Sequence, residues 1–176
     1  MLSKILYVLG MSMLPIIELR GGIPLGAGLG LNWQTALIVA MVGNMLPIPF
    51  ILLFLKPIFA WMKRKSSKLQ KIAEKLEAKG EKAGEEIKKY EFWGLTLFVA
   101  IPLPGTGAWT GALASVVLDM SFGKSLLACA LGVLGAGIIL TIISFTNIWV
   151  GAILVLILCI IFVYPIIKRK IAKRKN

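Results

Sequence analysis

Histidine is absent from this chain, and cysteine is limited to Cys129 and Cys159. Without imidazole, and with two thiols that lack CxxC spacing, neither a metal centre nor a disulfide framework is expected. Both thiols lie in apolar runs, where cysteine acts mainly as a small hydrophobe. No nucleophile stands with a base and no acids are paired, so the groupings that enzymes need are missing. The glycine run Gly26-Ala27-Gly28-Leu29-Gly30 has no strand before it, and no Walker A sequence occurs. These absences predict a protein that is not an enzyme and carries no cofactor.

What fills the chain instead is apolar sequence: 58% of its 176 residues are hydrophobic. A helix needs about twenty such residues to cross roughly 30 Å of hydrocarbon. Five apolar blocks can be drawn, Ile5 to Leu31, Trp33 to Trp61, Trp93 to Leu118, Phe122 to Phe145 and Ile148 to Ile167. The second, fourth and fifth read as spanning helices, with Trp33, Trp61 and Trp149 near ends where amphipathic rings favour the interface. Blocks one and three are interrupted, the first by Pro15, Glu18, Arg20, Gly21-Gly22 and Pro24, the third by Pro102, Pro104, Gly105, Gly107 and Gly111. Non-helical backbone at membrane depth survives only where protein or a wet cavity satisfies it, so both blocks are expected to be re-entrant hairpins. Lys4 and the short apolar run to Leu14 imitate a signal peptide, but Pro15, Glu18 and Arg20 stand where a small-residue cleavage site would be, and the N-terminus is expected to stay.

The net charge of +12 follows topology rather than nucleic acid. Residues 62–92 hold ten Lys/Arg against six Glu, and the tail from Lys168 to Lys175 holds six basic residues and no acid. Both should therefore be cytoplasmic in a multi-pass protein of the cell membrane. An even number of crossings must separate them. Three blocks lie between, so one should not cross, and the block broken at Pro102, Pro104 and Gly105 is the candidate.

A shift of 89 residues lays Leu14-Pro15 on Leu103-Pro104, Gly22 on Gly111, Asn32-Trp33 on Ser121-Phe122, Leu37 on Leu126 and Gly43 on Gly132. With one crossing between the two hairpins, the units would face opposite sides of the bilayer as an inverted repeat. The chain then reads as an all-α integral membrane protein: two opposed re-entrant helical hairpins, three spanning helices and a cytoplasmic helical insert. Its parts are a first repeat at 1–61, the insert at 62–92, a second repeat at 93–145, and a final helix with polybasic tail at 146–176. In the insert, Leu69, Leu76, Ala83 and Tyr90 recur every seven residues, with Ala73, Gly80 and Ile87 interleaved. One narrow apolar stripe on a solvated helical hairpin or surface helix is expected, with a break near Gly80 and Gly84. The row Lys71, Lys75 and Lys79 on its polar face is also suited to anionic headgroups.

Charges inside a membrane segment cost about 2.5 to 3.5 kcal/mol each and rarely persist without a task. Glu18 and Arg20 are two positions apart, so pairing within one helix needs unwinding, which Gly21-Gly22 would permit. The freed amides, the five-donor Arg20 fork and a helix start near Pro24 would make an anion cradle. Glu18, out of water, can carry a proton; the alternative is a structural ion pair that holds the hairpin. Pro102-Leu103-Pro104-Gly105-Thr106-Gly107 and Thr110 supply hydroxyls and close backbone approach to a ligand, unless they form only a hairpin tip. Asp119 and Lys124 read as capping and interface residues at the next helix start.

The motifs Glu18-Leu19-Arg20-Gly21-Gly22-Ile23-Pro24-Leu25-Gly26 and Ala100-Ile101-Pro102-Leu103-Pro104-Gly105-Thr106-Gly107-Ala108-Trp109-Thr110-Gly111, with the charged insert between, resemble the small multidrug export protein family over essentially the whole chain. A more distant similarity is to the DedA/VTT superfamily, which implies two opposed re-entrant hairpins and movement of lipids or polyprenyl phosphates. Pro104-Gly105 matches that superfamily's second-hairpin pattern, whereas the arginines expected around it are missing. The resemblance implies a small membrane transporter, a proton-coupled exporter of small or amphiphilic molecules in which Glu18 exchanges proton for substrate. The alternatives are a translocase for phospholipid or polyprenyl phosphate that grips the headgroup through Arg20, and a membrane scaffold whose insert binds a partner. Membrane lipids and a small-molecule or lipid substrate are the expected partners, and the site is completed either within one chain or across a homodimer.

Overall fold

The structure, a computed structural model, describes residues 1–15, 17–87, 90–103 and 105–146. Among these residues there are eight helices and no strand: α1 Leu2–Met13, α2 Glu18–Gly28, α3 Trp33–Met45, α4 Ile48–Lys65, α5 Ser67–Ile87, α6 Glu91–Ala100, α7 Ala108–Val117 and α8 Phe122–Thr146. The expected last spanning helix, its basic tail and Pro104 lie outside the described residues. The stretches Trp33–Lys65 and Phe122–Thr146 are long and apolar enough to cross a membrane.

Block one breaks earlier than its sequence suggests. Leu14 leaves the helix in an extended conformation, φ −75° and ψ 134°, as a residue before proline prefers. Helix α2 then starts at Glu18 and runs through Gly21, Gly22 and Pro24 to Gly28, so the unwinding expected at the glycine pair and the restart near Pro24 do not occur. Pro24 withholds only the N–H that would meet the Arg20 carbonyl, and its ring faces outward. The glycines serve packing: a Cβ on Gly22 would run into Ser12 of α1 and come within 3.4 Å of Ala40 of α3. Small residues at such crossings let backbones approach where no aqueous hydrophobic effect drives helices together.

Short connections return each helix on the last. At the end of α2, Gly30 takes φ 71°, the Leu31 N–H donates to the Gly26 carbonyl at 3.0 Å, and the Asn32 side chain caps α3 by accepting from the Thr35 N–H at 2.8 Å. The same turn recurs 89 residues later. Asp119 takes φ 57°, and the Met120 N–H donates to the Ser115 carbonyl at 3.0 Å. Leu2 and Glu91 open α1 and α6, and Trp33 and Phe122 open α3 and α8, at the same offset. The matched glycines make matched contacts: a Cβ on Gly43 would lie 2.6 Å from the Leu9 carbonyl oxygen of α1, and one on Gly132 would lie 2.8 Å from the Thr96 carbonyl oxygen of α6.

Two further expectations are corrected. Block two is not one regular helix, because Leu46-Pro47 interrupts it: Pro47 and Pro49 both lack the N–H that would continue the ladder, and α4 extends past Trp61 to Lys65. The insert does not break at Gly80 or Gly84 and is not a solvated hairpin. It forms one helix, α5, docked on α4 and α7. Its glycines are contact points, since a Cβ on Gly80 would lie 2.8 Å from Val117 and one on Gly84 would lie 3.1 Å from Leu118. Ala73 and Ile87 are fully buried, and a Lys63–Glu77 ion pair at 2.7 Å ties α5 to α4. The stripe was legible as apolar; its small residues reflect a neighbouring helix held close.

Candidate functional site

The head of α2 meets the turn that precedes α7. Glu18, at the head of α2, is 5% exposed and points its carboxylate at the first turn of α7, where Oε1 accepts from the Trp109 N–H at 3.2 Å. Helix α7 has no side-chain cap of its own because Gly107 precedes it. Glu18 supplies that cap from 91 residues away, and an anion at a helix N-terminus meets both free N–H groups and the positive end of the dipole. The fit requires glycine at 107, since a Cβ there would lie 2.7 Å from the Glu18 carboxyl carbon.

Arg20 crosses to the same tip. One guanidinium nitrogen donates to the Thr106 carbonyl and, at 3.3 Å, to the Thr106 hydroxyl. That hydroxyl also accepts from the Leu103 N–H at 3.2 Å and lies 2.7 Å from the Ile101 carbonyl it can donate to, so it closes the 101–106 turn. Gly105 completes the turn at φ 93°, in the left-handed region that favours glycine.

These residues wall a cavity of about 360 Å³ lined by Pro15, Glu18, Arg20, Lys79, Gly105, Thr106, Gly107 and Thr110. The structure thus brings together six of the residues expected from the sequence: Glu18, Arg20, Gly105, Thr106, Gly107 and Thr110. Gly21 and Gly22 pack within their own unit, Pro24 is exposed on α2, and Pro102 stands in the turn without lining the cavity. Pro104 lies outside the described residues.

Sequence reasoning missed two lining residues and one buried polar group. Lys79 was visible only as one of a row of lysines, and its place at the cavity depends on how α5 docks. Pro15 registered as a helix breaker and not as a wall. Asn44 is the third: on α3 it is 1% exposed, and its Oδ1 has no hydrogen-bond partner. A buried amide in an apolar helix was the available signal. A larger cavity of about 520 Å³ lies where α4, α5 and the end of α7 meet, lined by Lys56, Lys63, Glu77, Glu81 and Asp119 among others. Most of its charges are paired, Lys56 with Asp119 and Lys63 with Glu77, and it reads as a solvated seam. Asp119 does not cap α8; it sits in the turn after α7.

No curated protein and no solved structure matches the chain. A match does come from the family described as "Putative small multi-drug export protein", over residues 18–139, a span that opens on Glu18, contains the turn before α7 and ends within α8. With that match and its apolar helices, this chain belongs to the small multi-drug export family of membrane proteins.

Proposed function

We propose that the chain is a proton-coupled membrane exporter of small or amphiphilic molecules, and that substrate occupies the cavity between the hairpin tips. The observation that carries this reading is the reach of Glu18 and Arg20 from α2 onto the second tip, at the wall of that cavity. Two ionisable residues in an apolar unit mark a substrate or ion path by default. Both lie at helix ends where interrupted backbone lines a cavity, the arrangement transporters use at the junction of inverted repeats. The turn and glycine contacts recurring 89 residues apart support an inverted repeat of α1–α3 and α6–α8 as re-entrant hairpins, each followed by a longer helix. In the orientation that the basic residues favour, α5 and the C-terminus are cytoplasmic. Glu18 carries the proton and Arg20 orients substrate.

Reconstitution in liposomes, with and without a pH gradient, tests the reading. Glu18→Gln keeps shape but not the ionisable proton, and should abolish the response to the gradient. Arg20→Lys keeps charge but loses the planar fork, and should slow transport at least tenfold while the protein still inserts. Among the described residues, Glu18 and Arg20 do not form the ion pair that the sequence left open; each bonds the segment around the start of α7 instead. The double variant Glu18→Met with Arg20→Leu should insert but not transport. Full transport by that double variant overturns the proposal.

A further inference from the structure

The charges around the cavity do not balance. Among the described residues, Arg20 and Lys79 line it against a single acid, Glu18, and the other lining groups are neutral. Lys79 forms no ion pair among the described residues. Glu18 in turn is turned away from solvent and laid over Gly107 beside the Trp109 N–H. Its Oε1 thus sits on an α7 amide, at the wall of a cavity that Arg20 and Lys79 also line, a place that a free carboxylate or phosphate could take. We propose that the cavity is a binding site for an oxyanion, a carboxylate or phosphate group, and that the Glu18 carboxylate holds its place until substrate displaces it. The proposal rests on the exporter reading and names the substrate class for that site.

Displacement needs somewhere for Glu18 to go. Helices α2 and α3 run antiparallel with Gly26 against Ala36 and Gly22 against Ala40, so one further turn sets Glu18 level with Asn44. A protonated carboxyl is a donor, and the unpartnered Asn44 Oδ1 is an acceptor. The ionised group belongs at α7 and the neutral one at α3. The other charged or titratable groups facing Glu18 are Arg20 on α2, Lys79 on α5 and the Cys129 thiol on α8. From α1 the nearest cation, Lys4, is engaged at the far end of α2 on the Leu29 carbonyl. Because protonation of Glu18 vacates the site that the anion fills, the two bind together, and by linkage each raises the affinity for the other. Substrate and proton then travel in the same direction, a symport in place of the proton-for-substrate exchange expected from the sequence, so export runs on the outward gradient of the anion and is opposed by an inward proton gradient. A cationic substrate would instead have to enter against Arg20 and Lys79.

The test uses the full chain in nanodiscs. Melting temperatures are compared for wild type and Glu18→Ala in potassium acetate, potassium phosphate and potassium chloride at equal ionic strength. Acetate or phosphate should raise the melting temperature of Glu18→Ala by several degrees over chloride and leave wild type unmoved. Adding Lys79→Gln should remove most of that gain. Equal shifts in wild type and Glu18→Ala, or none in either, overturn the proposal. If Glu18→Ala does not fold, Glu18→Gln should bind phosphate or acetate at least tenfold more tightly than wild type, and equal or weaker binding overturns it. Phosphatidic acid in the nanodisc, in place of free phosphate, distinguishes a lipid headgroup from a soluble anion. Transport of a cationic dye with no anion effect would leave the exporter reading standing and remove this one. Anion binding as described, with no transport of any anion, would do the reverse.

Discussion

Glu18 holds φ at 50°, a conformation that costs a non-glycine residue about 1–2 kcal/mol relative to the right-handed region. Strain of this kind collects at functional sites and persists where surrounding contacts over-determine it; here the contacts are the α7 cap and the packing at Gly107. Position 107 should therefore be sensitive to a single methyl. Gly107→Ala is expected to drive the carboxylate off α7, to destabilise the protein by about 1–3 kcal/mol as overpacking does, and to abolish transport. The comparison is Gly123→Ala, where nothing lies within 4 Å of the added Cβ, and there melting temperature and transport should both be kept. Wild-type transport by Gly107→Ala would show that the carboxylate need not touch α7. At this scale the sequence was informative about Glu18 and Arg20, because charge in an apolar run stands out. It was silent on Lys79 and Asn44, since a lysine among lysines and an uncharged amide announce nothing until the helices that carry them are docked.

The turns after α2 and α7 share a geometry but not a residue. Gly30 fills the left-handed position in the first and Asp119 in the second. Aspartate tolerates that conformation better than most side chains, yet glycine adopts it at no steric cost. Asp119→Gly loses one exposed ion pair with Lys56, worth about 0–1 kcal/mol, and regains a similar amount of backbone strain, so its melting temperature should stay near wild type. Gly30→Ala has no such offset and should lose about 1 kcal/mol. A large loss in Asp119→Gly would mean that the Lys56 pair secures the α4 to α7 contact. Helix ends that rest on local chemistry, such as Asn32 before α3 or Pro15 after α1, could be read from the sequence. Those that rest on neighbours could not. Gly21-Gly22 and Gly80 look like breaks in a single chain, and only the approach of Ser12, Ala40 and Val117 shows them to be packing sites.

Along α3 and α8 the buried residues are mostly small and the exposed ones large. Ala36, Ala40, Ala112, Ala114, Ala128 and Ala136 are buried, while Ile38, Val42, Phe50 and Phe54 on α3–α4 and Leu127, Leu131, Ile138 and Ile142 on α8 are exposed. That inversion suits a lipid solvent, in which close backbone approach replaces the aqueous hydrophobic effect. Orientation can be checked by single-cysteine labelling in a background without Cys129 and Cys159. A cysteine replacing Ser67, at the start of α5, and one replacing Asn176 should both label from the cytoplasmic side. Labelling from opposite faces would defeat the charge-derived topology.

Among the described residues, every side-chain hydrogen bond between α1–α3 and α6–α8 runs through Glu18 or Arg20. The two side chains that face the cavity thus supply the polar ties between these helices, beside the packing of α2 and α3 on α8. A substrate that draws either one away removes a polar tie and leaves only apolar packing, which slides more freely, so recognition also loosens the contact across the cavity. Variants that retain binding but lose motion should therefore not arise at positions 18 and 20; they should arise in the short turns on which each half swings.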